Sequence, residues 1–115
     1  MRENYKIGDI YWVNLSGQGH VQNGWHPGII VQCDAGNKYS ETTVVVPITS
    51  KNKTKLPTHI EIKGDSKGLK NNSVILAEQI RTIDKSRLKE KIGHIDDNTI
   101  INKLNNALGV SFGLE

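Results

Sequence analysis

The chain has 115 residues, of which 36% are hydrophobic and 5% aromatic, and a formal net charge of +3. That length supports one domain spanning 1–115 with a modest core, and the mild basicity favours an anionic partner only if the cations converge on one face. The single cysteine, Cys33, excludes an internal disulfide; no apolar run approaches the roughly 20 residues that cross a bilayer, and the charged start MRENYKIGDI lacks a secretory apolar segment, so a cytoplasmic protein without membrane association is expected.

In chain order, DIYWVNL at 9–15 is β-branched and aromatic, with Ile10, Trp12 and Asn14 alternating against Tyr11, Val13 and Leu15, and predicts a strand. The loop SGQGHVQNGW is too long for a tight hairpin, and such loops inside small domains are often functional. GIIVQC at 28–33 predicts a second strand, and DAGNKYSE a turn around Gly36 and Asn37. TTVVVPIT at 42–49 is the most β-prone segment, and its Pro47 predicts an edge or a bulge because proline cannot donate to a ladder. KNKTK at 51–55 is a basic loop, THIEIK at 58–63 a strand with Ile60 and Ile62 on one face, and GDSKGLKNN a polar turn. SVILAEQIRTI at 73–83 predicts one long strand bending near Glu78. The period then changes. Ile100, Ile101, Leu104, Ala107 and Leu108 recur at helical spacing, with Asp96 or Asp97 as N-cap and Gly109 as stop. Five or six short strands and one late helix, whose single apolar stripe must pack on the sheet, predict a small, strongly bent antiparallel barrel.

Little in the residues points to a cofactor or metal. His20, His26 and Cys33 number three possible zinc ligands, but Cys33 falls in a predicted strand and no pair has the short spacing that preorganises a site. A buried reduced cysteine and two loop histidines are the better account, and His59 and His94 read as structural residues near strand ends. No nucleophile elbow, phosphate-binding glycine loop or metalloprotease motif occurs. What remains is a set of polar groups at strand ends: His20, Gln22, Gly24, Trp25 and His26, then Thr49 and Ser50, then Glu78 and Gln79, with Lys51, Lys53 and Lys55 nearby. Converging on one rim they would suit a phosphodiester; scattered, they are simply solvated, and pattern alone favours the latter.

Three segments add to this. GDIYWVNL, VQCDAGNKYSETTVVVPITS, and LPTHIEI through SVILAEQIRTIDKSRLKEKIGHID resemble the MazF/PemK family of toxin ribonucleases over nearly the whole chain. The resemblance implies a mainly β, SH3-like antiparallel barrel with a C-terminal α-helix, a fold shared with CcdB-like toxins, assembled as a homodimer. It implies the toxin of a type II toxin–antitoxin pair, inhibited by a cognate MazE-like antitoxin with an acidic tail. It also implies a sequence-specific endoribonuclease that cuts single-stranded RNA, usually mRNA, without a metal or other cofactor. The chemistry needs little machinery, because RNA carries its own nucleophile. The 2′-OH attacks the adjacent phosphate, the 5′-oxygen departs, and 2′,3′-cyclic phosphate and 5′-OH ends result. DNA lacks that hydroxyl and should be inert.

Family members carry an arginine before a proline, in a run resembling G-x-R-P, that acts at the scissile phosphate with a threonine ending the third strand. Here the threonine is Thr49, whereas the arginine position is His26, in GWHP. Gln22 matches a family E-Q pair whose acidic member is replaced by Val21. Glu78 and Gln79 match residues that help hold RNA bases, and Leu56 and Ser73 lie in matching RNA-facing segments. His20, Gly24, Trp25, Ser50 and Lys51 are the further RNA-binding candidates. Trp25 could stack on a base or cap the barrel, the structural role being slightly favoured. Lys51, Lys53 and Lys55 either steer RNA or keep a loop soluble.

Arginine is permanently charged and grips phosphate with a two-pronged fork. A neutral histidine offers one donor, but accepts protons far better near neutrality. Three readings follow: His26 as general base, with His20 or Lys51 supplying charge; a site disabled by the substitution but still binding RNA or antitoxin; or a non-nuclease, CcdB-like gyrase-binding role, against which Thr49, Glu78 and Gln79 speak. The expectation is that His26→Arg raises ribonuclease activity, and a fall would sink the disabled-site reading.

Overall fold

TTVVVPIT forms the central strand, and the sheet is organised around it. The structure is a computed structural model that describes residues 4–15, 24–50 and 55–114. Its elements are β1 (Asp9–Asn14), β2 (Trp25–Ile30), α1 (Asp34–Tyr39), β3 (Thr42–Thr49), β4 (His59–Ile62), β5 (Ser73–Leu76), β6 (Arg81–Asp84), β7 (Leu88–His94) and α2 (Asn98–Ser111). The strands form one antiparallel sheet in the order β4-β5-β3-β2-β1-β7, with β6 pairing β3 alongside. The sheet bends into a barrel-like form without a ladder joining β4 to β7.

Pro47 lies inside β3, which pairs on both sides, so the expected edge position is not what is found. The proline is accommodated by a change of neighbour. Val31 N–H donates to the Val44 carbonyl at 2.9 Å, so Val44 and, two residues on, Val46 turn their polar groups to β2. Pro47 therefore faces the other side, where pairing with β6 has ended at Val45 and pairing with β5 begins at Ile48. The missing N–H falls in that gap.

The bent sheet packs apolar residues on both faces. Ile10, Ile29, Val46, Ile48, Ile60, Ile62 and Ile75 form one cluster with Leu104 and Ala107 of α2, while Tyr11, Val13, Leu15, Ile30, Val45, Ile83 and Leu88 form a second. Ile60 and Ile62 share a buried face as predicted, and the α2 stripe covers the first cluster. Asp97 caps α2, its Oδ1 accepting from Thr99 N–H at 2.8 Å. Gly109 does not end the helix. A single interior glycine costs about 1 kcal/mol, too little to stop a docked helix, and the chain leaves helical geometry at Phe112 and Gly113, the latter with φ +72°.

Four further expectations are corrected. DAGNKY is a short helix, α1, rather than a turn, because the buried Asn37 is held from outside the segment. Its Oδ1 accepts from Gln32 Nε2 at 3.0 Å and from Thr43 Oγ1 at 2.7 Å, and its Nδ2 donates to the Gln32 carbonyl at 2.9 Å. Cys33 consequently sits at the start of α1 and is exposed, neither in a strand nor buried. The segment 73–83 is two strands, β5 and β6, separated by a tight helical turn at Ala77–Gln79. Among the described residues the strand count is seven, because 73–83 divides into β5 and β6 and because β7 adds a strand that pairs with β1 through a bulged register.

Candidate functional site

One end of the sheet opens into a cleft of about 430 Å³. Trp12 of β1, His26 and Pro27 of β2, and Ile48, Thr49 and Ser50 at the end of β3 form its floor and near wall. Gly68, Leu69, Lys70 and Asn71 from the loop before β5, with Ser73 and Ile92, form the far wall. The spaced residues His26, Thr49, Ser50 and Ser73 are thus brought together.

The ladders explain the placement of the first two. β1 pairs Trp12 with Pro27 and the fully buried Val13 with His26, which fixes the backbone at the start of β2. β2 in turn pairs Gly28 with Pro47. His26, two residues before Gly28, and Thr49, two residues after Pro47, both line the cleft. His26 is half-buried, and its Nε2 is enclosed with no hydrogen-bond partner among the described residues. Leaving such a nitrogen unpaired costs roughly 1–3 kcal/mol, a cost that a substrate hydroxyl or phosphate oxygen would offset. Ser73 is buried and spends its hydroxyl on the Asn71 carbonyl at 2.8 Å, so it braces the far wall.

Trp25 and Gly24 flank this cleft. Gly24 takes φ +99°, and Trp25 is exposed with Lys89 Nζ 5.6 Å from its ring centre, outside the cleft lining. Lys89 so placed is a cation–π partner. His20, Gln22 and Lys51 lie outside the described residues, as do Val21 and Lys53.

The remaining predicted residues gather elsewhere. Leu56 lines a second hollow with Lys55, His59, Ile60, Glu61, Val74 and Lys103. Glu78, in the turn between β5 and β6, is occupied by β4. Its Oε1 accepts from Thr58 Oγ1 at 2.9 Å, and its Oε2 lies 3.1 Å from His59 Nε2. Partial burial raises the Glu78 carboxyl, but hydrogen bonds from its own amide, His59 and Thr58 outweigh this and hold it below the usual glutamate range. Gln79 is half-buried beside it. Neither glutamate nor glutamine lines the His26 cleft. Lys55 pairs with Glu61 at 3.4 Å. His59 and His94 end strands and hold carboxylates, Glu78 and Asp9 respectively, as expected of structural histidines. Among the described residues no group of three or more His, Cys, Asp or Glu side chains is placed to hold a metal.

Sequence reasoning missed Trp12, Lys70 and Asn71. Trp12 left a signal, a large aromatic on the strand face opposite Tyr11, Val13 and Leu15; it is 39% exposed and faces the cleft. Lys70 and Asn71 left none, because a polar turn gives no hint of which surface it will wall.

Residues 6–112 match the family model of PemK-like, MazF-like toxins of type II toxin–antitoxin systems. The chain is 50% identical over 109 residues to a protein named Endoribonuclease MazF from Staphylococcus saprophyticus, covering 93% of this chain and 90% of that one. Among solved structures, an endoribonuclease in complex with its cognate antitoxin from a mycobacterial species superposes with a TM-score of 0.80 at 28% identity, over 96% of this chain and 97% of that one. MazF from Deinococcus radiodurans shares the fold, with a TM-score of 0.82 at 24% identity, over 97% and 99% of the two chains. With a family match over nearly its full length and a relative at half identity, the chain belongs to the PemK-like, MazF-like toxins of type II toxin–antitoxin systems.

Proposed function

We propose that this chain is a metal-independent, sequence-specific endoribonuclease that cleaves single-stranded RNA, and that His26 and Thr49 act at the scissile phosphate. The observation that carries the proposal is the shared cleft: two residues 23 positions apart in sequence line one cleft, and the imidazole Nε2 of His26 has no hydrogen-bond partner among the described residues.

In this reading the substrate 2′-oxygen attacks phosphorus, the P–O5′ bond breaks, and the 2′-OH proton is balanced by the one the 5′-oxygen gains. His26 accepts the first proton, and the Thr49 hydroxyl donates to a non-bridging oxygen as charge builds there. Trp12 offers an aromatic face to an unpaired base. The family resemblance supports a homodimer and a cognate antitoxin as partners; the mycobacterial relative was solved with such an antitoxin. No described helix is long and apolar enough to cross a membrane.

A second reading rests on His26 itself, which replaces the family's arginine fork with a single donor. On that reading the cleft binds RNA and cuts it poorly or not at all. The test incubates the pure protein with long single-stranded RNA in EDTA and maps new 5′-OH ends. Cuts at a recurring short sequence support the ribonuclease. Intact RNA, with cutting restored by His26→Arg, establishes the disabled site. Intact RNA with both proteins refutes cleavage and moves the weight to a binding role.

A further inference from the structure

We propose that Lys70 is a phosphate-binding residue of the cleft, its ammonium contacting the RNA backbone beside the bond held at His26 and Thr49. The inference rests on the ribonucleic-acid reading of that cleft and adds a residue to it.

The argument starts from charge. Among the described residues lining the cleft, Lys70 is the one that carries a permanent charge, and no carboxylate lines it. A phosphodiester entering the cleft therefore meets an unneutralised ammonium. The other described lysine singled out from sequence, Lys55, is paired with Glu61 in the second hollow. With histidine in place of arginine, a cation from another element is what the phosphate site lacks, and Lys70 is the one the fold delivers.

The loop's anchoring makes this delivery reproducible. On one side of Lys70, Leu69 is buried in the first apolar cluster, and its N–H donates to the Ser66 carbonyl at 2.9 Å. On the other side, the Asn71 carbonyl accepts from Ser73, and the Asn72 Oδ1 accepts from Gly64 N–H at 2.7 Å. Gly64 lies so close beneath the loop that a Cβ there would fall 2.7 Å from the Lys70 carbonyl oxygen. Gly68 approaches β7 equally closely, its imaginary Cβ 2.2 Å from the Ile92 carbonyl oxygen. The root of the Lys70 side chain is therefore fixed at the cleft wall while the exposed ammonium remains available to solvent and ligand.

The test uses two readouts. Binding to single-stranded 2′-O-methyl RNA, which cannot be cleaved, is measured across a salt series; cleavage of unmodified RNA is measured separately. Each phosphate contact on a single strand contributes a slope of about −0.7 in log K against log salt. Lys70→Met should flatten the slope by about 0.7 and weaken binding about tenfold at low salt, and Lys70→Arg should stay near wild type. Lys63→Met, at an exposed position outside the cleft, should leave both unchanged. An unaltered slope in Lys70→Met overturns the proposal, as does a wild-type protein that shows no salt-dependent binding. Failure of the wild type to cut RNA, with the slope change present, removes the ribonuclease reading and leaves the phosphate contact standing.

Discussion

His26 and Thr49 line the same cleft, His26 two residues before the Gly28 that pairs with Pro47 and Thr49 two residues after that proline. Neither backbone position is free to drift, since His26 is also tied to Val13 and Thr49 to Val74. On the proposed function, the side chain at position 26 therefore sets how the phosphate is met. The family resemblance implies an arginine there, whose fixed charge and two donors suit phosphate. Cleavage should rank arginine above histidine above alanine. A charge-assisted contact of this kind is worth about 2–4 kcal/mol, so His26→Arg should raise kcat/KM by roughly 30-fold or more and His26→Ala should lower it by roughly 100-fold. A fluorogenic RNA assay in EDTA measures all three, and a fall with arginine would show that the imidazole does chemistry the fork cannot replace.

Trp12 and Trp25 give a second prediction, because the fold separates them. Trp12 pairs with Pro27 and faces the cleft, whereas the Trp25 ring lies under Lys89 away from it. Stacking of one base on an aromatic ring is worth about 1–3 kcal/mol. Trp12→Ala should weaken binding of single-stranded RNA by roughly 5- to 150-fold, and Trp25→Ala should do markedly less. Equal losses in fluorescence-anisotropy titrations would put a base on Trp25 as well.

What the sequence discloses and what it hides follow from the range of the forces involved. β3 occupies 42–49 as read, and Leu104 and Ala107 lie inward, because alternation and helical periodicity are local signals. α1 escapes detection because it is stabilised by Asn37 reaching Gln32 and Thr43, contacts that depend on the sheet already being in place. The break at Ala77–Gln79 is hidden for the same reason, Glu78 being held by Thr58 and His59 of a neighbouring chain segment. Half of the cleft was legible through His26, Thr49, Ser50 and Ser73. The other half, Lys70 and Asn71, arrives only when Gly68 docks on Ile92, a long-range contact with no local pattern.

The Glu78 clamp carries a pH dependence of definite sign. Its carboxyl is held below the ordinary glutamate range in the folded chain, so the unfolded chain binds a proton more readily. The stabilisation is therefore fully present above the unfolded value of about 4.3 and fades as pH falls through the lower folded value. Glu78→Gln cannot ionise and should melt lower than wild type at neutral pH, with the gap closing as pH falls below the ordinary glutamate range. Melting temperatures of the two proteins across that range provide the check; a constant gap would mean that the hydrogen bonds do not depend on charge.

Gly68 links stability to the cleft directly. It has φ +84°, and a Cβ would sit 2.2 Å from the Ile92 carbonyl oxygen, a backbone atom that cannot swing aside. Alanine at this position bears a left-handed conformation costing roughly 1–2 kcal/mol and, beyond that, must push the loop off β7. Gly68→Ala should lower the melting temperature by about 5 °C or more. The same displacement moves Lys70 and Asn71 away from His26 and Thr49, so cleavage well below the melting temperature should fall further than the folded fraction does. A variant that melts early yet cuts RNA at the wild-type rate while folded would show that the far wall of the cleft takes no part in the reaction.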